Sequence, residues 1–185
     1  RTKTLRWTEG GTARSRVTDD TTYEAKGRFP QTVKNALNHT ETRVYSESLG
    51  LMTSLTGPNA LTTTWQYDSW GRKTRETRAD STFTDYAYKQ CQSGCVNGAA
   101  LVSITTPSSG VPSATYIDAL GRDVRVQTWS FNGTELATDR EYTATGRLLR
   151  TAPRRLSSAT PVWTTFAHDD LGRAHQILVA HAGVV

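Results

Sequence analysis

Tyr67-Asp68-Ser69-Trp70-Gly71-Arg72 is one of several hexapeptides in this 185-residue chain that share a single layout, with a glycine at the fifth place and usually an arginine at the sixth. Tyr23-Glu24-Ala25-Lys26-Gly27-Arg28, Ile117-Asp118-Ala119-Leu120-Gly121-Arg122, Tyr142-Thr143-Ala144-Thr145-Gly146-Arg147 and His168-Asp169-Asp170-Leu171-Gly172-Arg173 repeat it. Ser46-Glu47-Ser48-Leu49-Gly50-Leu51 keeps the glycine and replaces the arginine by leucine. The interval from Gly71 to Gly121 is twice the usual one, and Gln90-Cys91-Gln92-Ser93-Gly94-Cys95 falls near its middle. Glycines 27, 50, 71, 94, 121, 146 and 172 are then 23, 21, 23, 27, 25 and 26 residues apart, which makes the chain a repeat array with an elastic period.

The chemistry of the hexapeptide explains why it recurs. A short acidic side chain three residues before a glycine accepts hydrogen bonds from the turn's own backbone. The glycine supplies the positive φ of a type I turn closed by a one-residue bulge. Such a turn joins two antiparallel strands. The stretches between turns read as strands: Leu61–Tyr67 is rich in threonine and aromatics, and Val124–Trp129 alternates with a period of two. About 24 residues per unit accommodates two strands of about seven to nine residues and a second turn. The second turns are expected at Gly57-Pro58-Asn59, Pro107–Gly110, Phe131-Asn132-Gly133 and Ser157-Ser158-Ala159. The expectation is an all-β protein of tandem antiparallel hairpins, one array of about seven units over residues 1–185, in a curved or spiralling sheet.

In a three-residue loop closed by such a bulge, the residue three before the glycine faces the residue one after it. Glu24 is thereby expected beside Arg28, Asp68 beside Arg72, Asp118 beside Arg122 and Asp169 beside Arg173. The same rule sets Cys91 against Cys95 at the paired positions of the divergent unit. A disulfide between them is the expectation, and it would point to an oxidising location; free thiols or metal use are the alternatives. The four histidines, His39, His168, His175 and His181, show no spacing that would complete a zinc site.

Taken together, the Tyr-Asp-x-x-Gly-Arg copies resemble the YD repeats of the Rhs family, which includes bacterial polymorphic toxins, shell-forming components of insecticidal Tc toxin complexes, and animal teneurins. The resemblance runs from about Tyr23 to Ile177. It implies a β-sheet ribbon that winds into a hollow shell and, in the bacterial members, encloses a C-terminal toxic domain. The implied partners are adjacent repeats and an enclosed toxin domain of the same parent protein, and the implied location is secreted or at the bacterial cell surface. The chain starts at Arg1 rather than Met and is expected to be a piece of a longer protein. It contains no Asp-Pro dipeptide, so the self-cleavage of the toxin-releasing members is not expected within it.

Other function classes find little support. The net charge of +5 and pI of about 9.4 would suit an anionic partner, but the basic residues are scattered singly or in pairs and many fall at the repeat position after glycine. Specific nucleic-acid binding is therefore not expected. Hydrophobic residues make up 36% of the chain and the mean hydropathy is -0.55, with no stretch approaching the length of a membrane-spanning helix. Asp169-Asp170 and the His168 and His175 pair are the only combinations that suggest acid–base chemistry, and their places in the repeat account for them. No nucleophile elbow, phosphate loop or zinc-protease motif occurs, so neither an enzyme nor a cofactor is expected. Tyr23, Tyr67 and Tyr142 recur before the turns, while Trp65, Trp129 and Trp163 lie in strands. Sugar stacking on these rings, in a surface recognition module for carbohydrate or protein, is the competing reading. Open sheet edges would also permit dimerisation.

Overall fold

The computed structural model of the chain describes residues 1–92 and 95–179. The calls on Gly94 and His181 lie outside the described residues. Two compact units, Arg1–Thr84 and Asp85–Val185, divide the chain.

The first unit contains β1 (Thr2–Glu9), β2 (Thr12–Tyr23), β3 (Pro30–Asn35), β4 (Thr40–Tyr45), β5 (Met52–Thr56), β6 (Thr62–Tyr67) and β7 (Lys73–Thr77). They are hydrogen-bonded to one another in sequence order, each pair antiparallel. β8 (Phe83–Gln90) begins at the division. The second unit continues with β9 (Ala99–Pro107), β10 (Ser113–Asp118), β11 (Asp123–Trp129), β12 (Glu135–Tyr142), β13 (Leu148–Leu156), β14 (Thr164–His168) and β15 (Ala174–Val179), again paired in sequence order. The protein is all-β. A three-residue 3-10 turn, Val96–Gly98, is the one helical element among the described residues.

Strands in the first unit are mostly five or six residues long, shorter than the sequence suggested, and the β1–β2 hairpin lies ahead of the first hexapeptide. Its connection, Glu9-Gly10-Gly11-Thr12, has both glycines at positive φ, the Gly-Gly form of a two-residue hairpin loop.

All six described hexapeptide hairpins share a departure from simple pairing. Tyr67 is opposite Lys73 but Gln66 is opposite Arg75, so Thr74 is left over. Gln31, Thr53, Val124, Leu149 and His175 are passed over in the same way. A bulge of this kind bends the strand and sharpens its twist. In β11 it also breaks the strict alternation expected from Val124–Trp129: the buried positions are Val124 and Gln127, three apart.

A single-layer sheet buries little. The buried apolar residues are Ala99, Ala114, Val124, Ala137 and Ala152, all in the second unit and all but one alanine. Strand pairing sets Ala114, Gln127 and Ala137 in one cross-strand row, with Arg125, Asp139 and Ala152 in the next. Asp139, 1% exposed, sits at the centre of this small core and accepts hydrogen bonds from two arginines instead of packing against hydrocarbon.

Candidate functional site

The site built by the repeated hexapeptides is the series of turns along one rim of each unit. In the turn at Gly71, the Asp68 N–H donates to the Arg72 carbonyl at 2.9 Å and the Gly71 N–H donates to the Asp68 carbonyl at 3.0 Å. The Asp68 carboxylate accepts from the Trp70 and Arg72 N–H groups, both at 2.9 Å, and from Arg72 Nε at 2.7 Å. Asp118 repeats the set with Leu120 and Arg122, and Asp169 accepts from the Arg173 N–H and Nε. Thr143 keeps only the backbone contact and carries no charge, its Oγ1 accepting from the Arg147 N–H at 3.1 Å.

Two copies depart from this size. Ser46 N–H donates to the Leu51 carbonyl and Glu24 N–H to the Phe29 carbonyl, one residue further on than elsewhere. The longer Glu24 side chain still accepts from the Lys26 and Arg28 N–H groups, and Arg28 Nε lies 3.3 Å from it. Glycines 27, 50, 71, 121, 146 and 172 all have positive φ.

These contacts lower the pKa of the turn carboxyls. The Arg122 side chain and then its N–H hold Asp118 below its ordinary value; for Asp169 the Arg173 N–H leads, and for Glu24 the Lys26 N–H. Burial pushes Asp68 up, but the Arg72 N–H and guanidinium outweigh it and the net direction is down.

Successive turns are interlocked. A β-carbon placed on Gly71 would lie 3.3 Å from Leu51 Cδ1, and one on Gly172 would lie 3.1 Å from the Arg147 guanidinium. Phe29 faces Gly50 and Arg122 faces Gly146 in the same way, at 3.7 and 3.6 Å. The side chain that follows one turn thus rests on the glycine of the next. Arg147 adds a hydrogen bond from Nη1 to the Asp169 carbonyl at 2.9 Å, and Arg122 lies 4.4 Å over the Tyr142 ring. The tyrosines complete the link. Tyr67 Oη donates to the Met52 carbonyl at 2.8 Å and Tyr142 Oη to the Asp123 carbonyl at 3.2 Å, each reaching the strand that opens two residues after the preceding turn glycine. In the first unit, Tyr45 stacks on Phe29 with centroids 4.9 Å apart, and Glu47 bridges back to Lys26 and Arg28. Tyr23 is exposed.

The cysteine-bearing unit is built differently from the expectation. Cys91 and Cys95 are joined by a disulfide with Cα atoms 5.9 Å apart, but they are not the facing residues of a short turn. The Cys91 N–H donates to the Ala100 carbonyl, so the strands close nine residues on. Cys95 belongs to the enlarged loop, in which Val96–Gly98 makes a 3-10 turn and Gly98 takes the positive φ. The inserted residues push the closing partner from the position of Cys95 to that of Ala100, and the disulfide ties the loop to the end of β8.

Sequence reasoning missed three features. On the opposite rim, Asn35, Gly57, Arg78 and Ser130 each donate N–H to a carbonyl four residues on; the turns at Gly57 and Ser130 fall where second turns were expected, and those at Asn35 and Arg78 were not anticipated. Asn38, Ala60 and Ser81 take the positive φ in three of the four, at residues other than glycine. The second miss is an arginine four residues after the turn glycine. Arg75 lies 4.3 Å over the Phe83 ring, Arg150 lies 4.3 Å over the Trp163 ring and binds Glu141, and Arg125 binds Asp139. Its recurrence in sequence was visible. The third is the pairing of Asp139 with Arg125 at 2.6 and 3.0 Å and Arg155 at 2.5 Å, residues 14 and 16 positions away in strands that only the register brings together. The strand tryptophans meet neighbours within their own units: Trp65 Nε1 donates to Glu76 and lies beneath Lys73, and Trp129 Nε1 donates to Glu135.

His168 and His175 lie in β14 and at the bulge of β15, and no cluster of three metal-ligating side chains occurs among the described residues. No helix among them is long and apolar enough to cross a membrane.

Comparison with known proteins adds two findings. Residues 45–82, which hold the turns at Gly50 and Gly71, match the model of the RHS Repeat family, so this stretch carries an RHS repeat. The crystal structure of TcdB2-TccC3-TEV is similar in fold, with a TM-score of 0.51 and 10% sequence identity over 97% of this chain. This chain spans 16% of the length of that one. No curated protein matches the sequence.

Proposed function

We propose that the chain is a structural segment of a hairpin-repeat shell in a secreted bacterial toxin-type protein, enclosing or presenting a toxic domain carried elsewhere in the same parent. One observation carries this reading: the polar and aromatic residues of the repeat are occupied in holding turns and neighbouring turns together. Asp68, Asp118 and Asp169 are consumed by their own turns, Arg122 and Arg147 by the next glycine, and Tyr67 and Tyr142 by the previous strand. A wall requires such an arrangement, in which each unit contacts its nearest neighbours and the same joint recurs. The RHS repeat at residues 45–82 and the fold shared with TcdB2-TccC3-TEV support the same reading.

In this role the repeat-turn residues Tyr23, Gly27, Arg28, Gly50, Tyr67, Asp68, Gly71, Arg72, Asp118, Gly121, Arg122, Tyr142, Gly146, Arg147, Asp169, Gly172 and Arg173 are structural, the chain is not an enzyme, and the disulfide suits an oxidising location. The test uses the parent protein with its downstream domain. Gly121→Val and Gly146→Val, which oppose the positive φ of two turns, should expose that domain to protease many times faster than wild type. Equal protection in both variants, or a parent without any domain beyond the repeats, refutes the proposal.

A further inference from the structure

The first hairpin reaches beyond the sheet that it begins. β2 is twelve residues long, but β3 pairs with it only from Asp19 to Tyr23. Residues 12–18 run past the last of those pairs, Asp19 with Asn35, and at about 3.3 Å per residue they carry the hairpin about 23 Å beyond the Asn35 turn. On this stretch only β1 accompanies β2, so the ribbon is two strands wide with both edges and both faces open. Such a ribbon is at best marginally stable in water on its own. Residues 1–17 form the longest exposed run among the described residues, yet they include Leu5, Trp7 and Val17 at 58, 42 and 46% exposure. The same run concentrates basic charge, with Arg1, Lys3, Arg6, Arg14 and Arg16 against Glu9 alone. Glu9 lies 3.6 Å from Arg14, and the acids at the base, Asp19 and Asp20, stand opposite Lys3 and Lys34. Arg6 and Arg16 have no carboxylate within ion-pair distance among the described residues.

We propose that the β1–β2 hairpin binds an anionic phospholipid surface, lying along it on one face. The register selects that occupant. Leu5 stands opposite Arg16 and Trp7 opposite Arg14, so one face sets an apolar row on β1 beside a cationic row on β2. A charged bilayer surface is layered in the same way: the leucine and the indole enter the boundary between headgroups and acyl chains, while the arginine stems let the guanidinium groups reach the phosphates. Tryptophan suits that depth, because its ring is apolar and its N–H polar. Duplex nucleic acid offers phosphates to Arg14 and Arg16 but no apolar layer to Leu5 and Trp7 beside them. Glu9 shares this face at its far end, where Arg14 offsets it. The other face sets Thr4, Arg6 and Thr8 against Val17, Ser15 and Ala13, with one cation and no aromatic ring, and it remains toward water. The Gly10-Gly11 loop has no side chain to hold the ribbon off a plane. At headgroup depth water still reaches the open strand edges. A strand supplied beside β1 by a longer parent would occupy its edge and leave this face open, so the contact does not depend on the shell reading.

Flotation of the whole 185-residue chain with vesicles tests the proposal. Wild type should float with vesicles of equal parts phosphatidylcholine and phosphatidylserine and not with phosphatidylcholine alone. Raising the salt from about 0.1 to about 1 M, which shortens the screening length from about 10 to about 3 Å, should weaken the binding. Arg14→Gln with Arg16→Gln should lower the partition coefficient at least about tenfold, and Arg14→Lys with Arg16→Lys should retain most of it. Leu5→Ser with Trp7→Ser should lower it by a similar factor, whereas Trp70→Ser, which removes an exposed ring elsewhere, should leave it unchanged. Circular dichroism of each variant establishes that the sheet is retained. A wild type that does not float with the charged vesicles overturns the proposal, as do equal flotation with the uncharged ones, a glutamine pair that binds like wild type, or a loss in Trp70→Ser. Binding of duplex DNA through Arg14 and Arg16 without flotation would assign the hairpin to nucleic acid and overturn it equally.

Discussion

Replacing Asp139 by asparagine tests how a sheet with almost no hydrocarbon core is held together. The substitution keeps the shape of the side chain and removes its charge. In the wild type the carboxylate, 1% exposed, receives Arg125 through two nitrogens at 2.6 and 3.0 Å and Arg155 through one at 2.5 Å. Without it, two guanidinium groups face each other with no counter-ion, and Ala137 and Ala152 alongside offer no polar substitute. Removing one member of a buried ion pair costs about 3–5 kcal/mol, mostly the penalty of the charge left behind. At about 1.4 kcal/mol per factor of ten, the middle of that range is close to a thousandfold increase in the open population of β11–β13. Amide hydrogen exchange localises the effect: the N–H groups of β12 and its two neighbours should lose that protection, and those of β3–β6 should not. The pH dependence follows the same logic. Burial pushes the Asp139 carboxyl up, the hydrogen bonds from Arg125 and Arg155 outweigh it, and the net pKa lies below the ordinary value. A depressed pKa adds stability that is complete above the unfolded value of about 3.9 and is lost as pH falls through the lower folded one. The gap between wild type and Asp139→Asn should therefore be constant near neutrality and close only under strong acid. A loss below about 1 kcal/mol at pH 7, or a gap that closes between pH 7 and 5, would refute the reasoning.

Three smaller perturbations probe other joints. Ala60→Gly, at a φ of 60° on a non-glycine residue, should stabilise the first unit by about 0.5–1 kcal/mol, read as a higher urea midpoint; a lower midpoint would show that the turn is unstrained. Tyr67→Phe removes the hydrogen bond to the Met52 carbonyl and should cost about 1 kcal/mol, measured by the same unfolding and with strand content unchanged by circular dichroism. Reduction of Cys91–Cys95 opens a very short loop, so the chain-entropy model limits the loss to about 2 kcal/mol; collapse of the second unit on adding reductant would contradict that limit.

The hairpin architecture was legible because its determinants are local. A glycine that must take positive φ, an acid three residues before it and a basic residue after it act within five positions, so a one-dimensional scan finds them. What escaped the scan depends on register. Asp139 meets Arg125 and Arg155 only because β11, β12 and β13 pair as they do, and the bulges at Thr74, Val124 and Leu149 leave no residue-type signal. Two opposite-rim turns escaped for a different reason. Asn38 and Ser81 take the conformation that glycine takes elsewhere, in turns without glycine or proline, whereas the turns at Gly57-Pro58-Asn59 and Phe131-Asn132-Gly133 carry those signals and were expected. The cysteine loop shows the limit of analogy within one chain: spacing from the neighbouring glycines pointed to a standard turn, whereas the strand-closing bond runs from Cys91 to Ala100.

The recurrent skipped residue has a consequence for how such a chain can change over time. In β11, Asp123 and Arg125 share a parity, yet they stand opposite Ile117 and Tyr116, which do not. The bulge is a phase shift. A one-residue slip in an unbroken ladder would turn every later side chain to the wrong face. Here a shift of that size is absorbed beside each turn, and the β12–β13 ladder takes up another between Ala137 and Asp139. Glycine intervals from 21 to 27 residues, odd and even, coexist in one chain for that reason. Gains and losses of single residues near the turns are thereby confined to the hairpin in which they occur, and the lineage can lengthen, shorten or duplicate its units without turning the wall inside out.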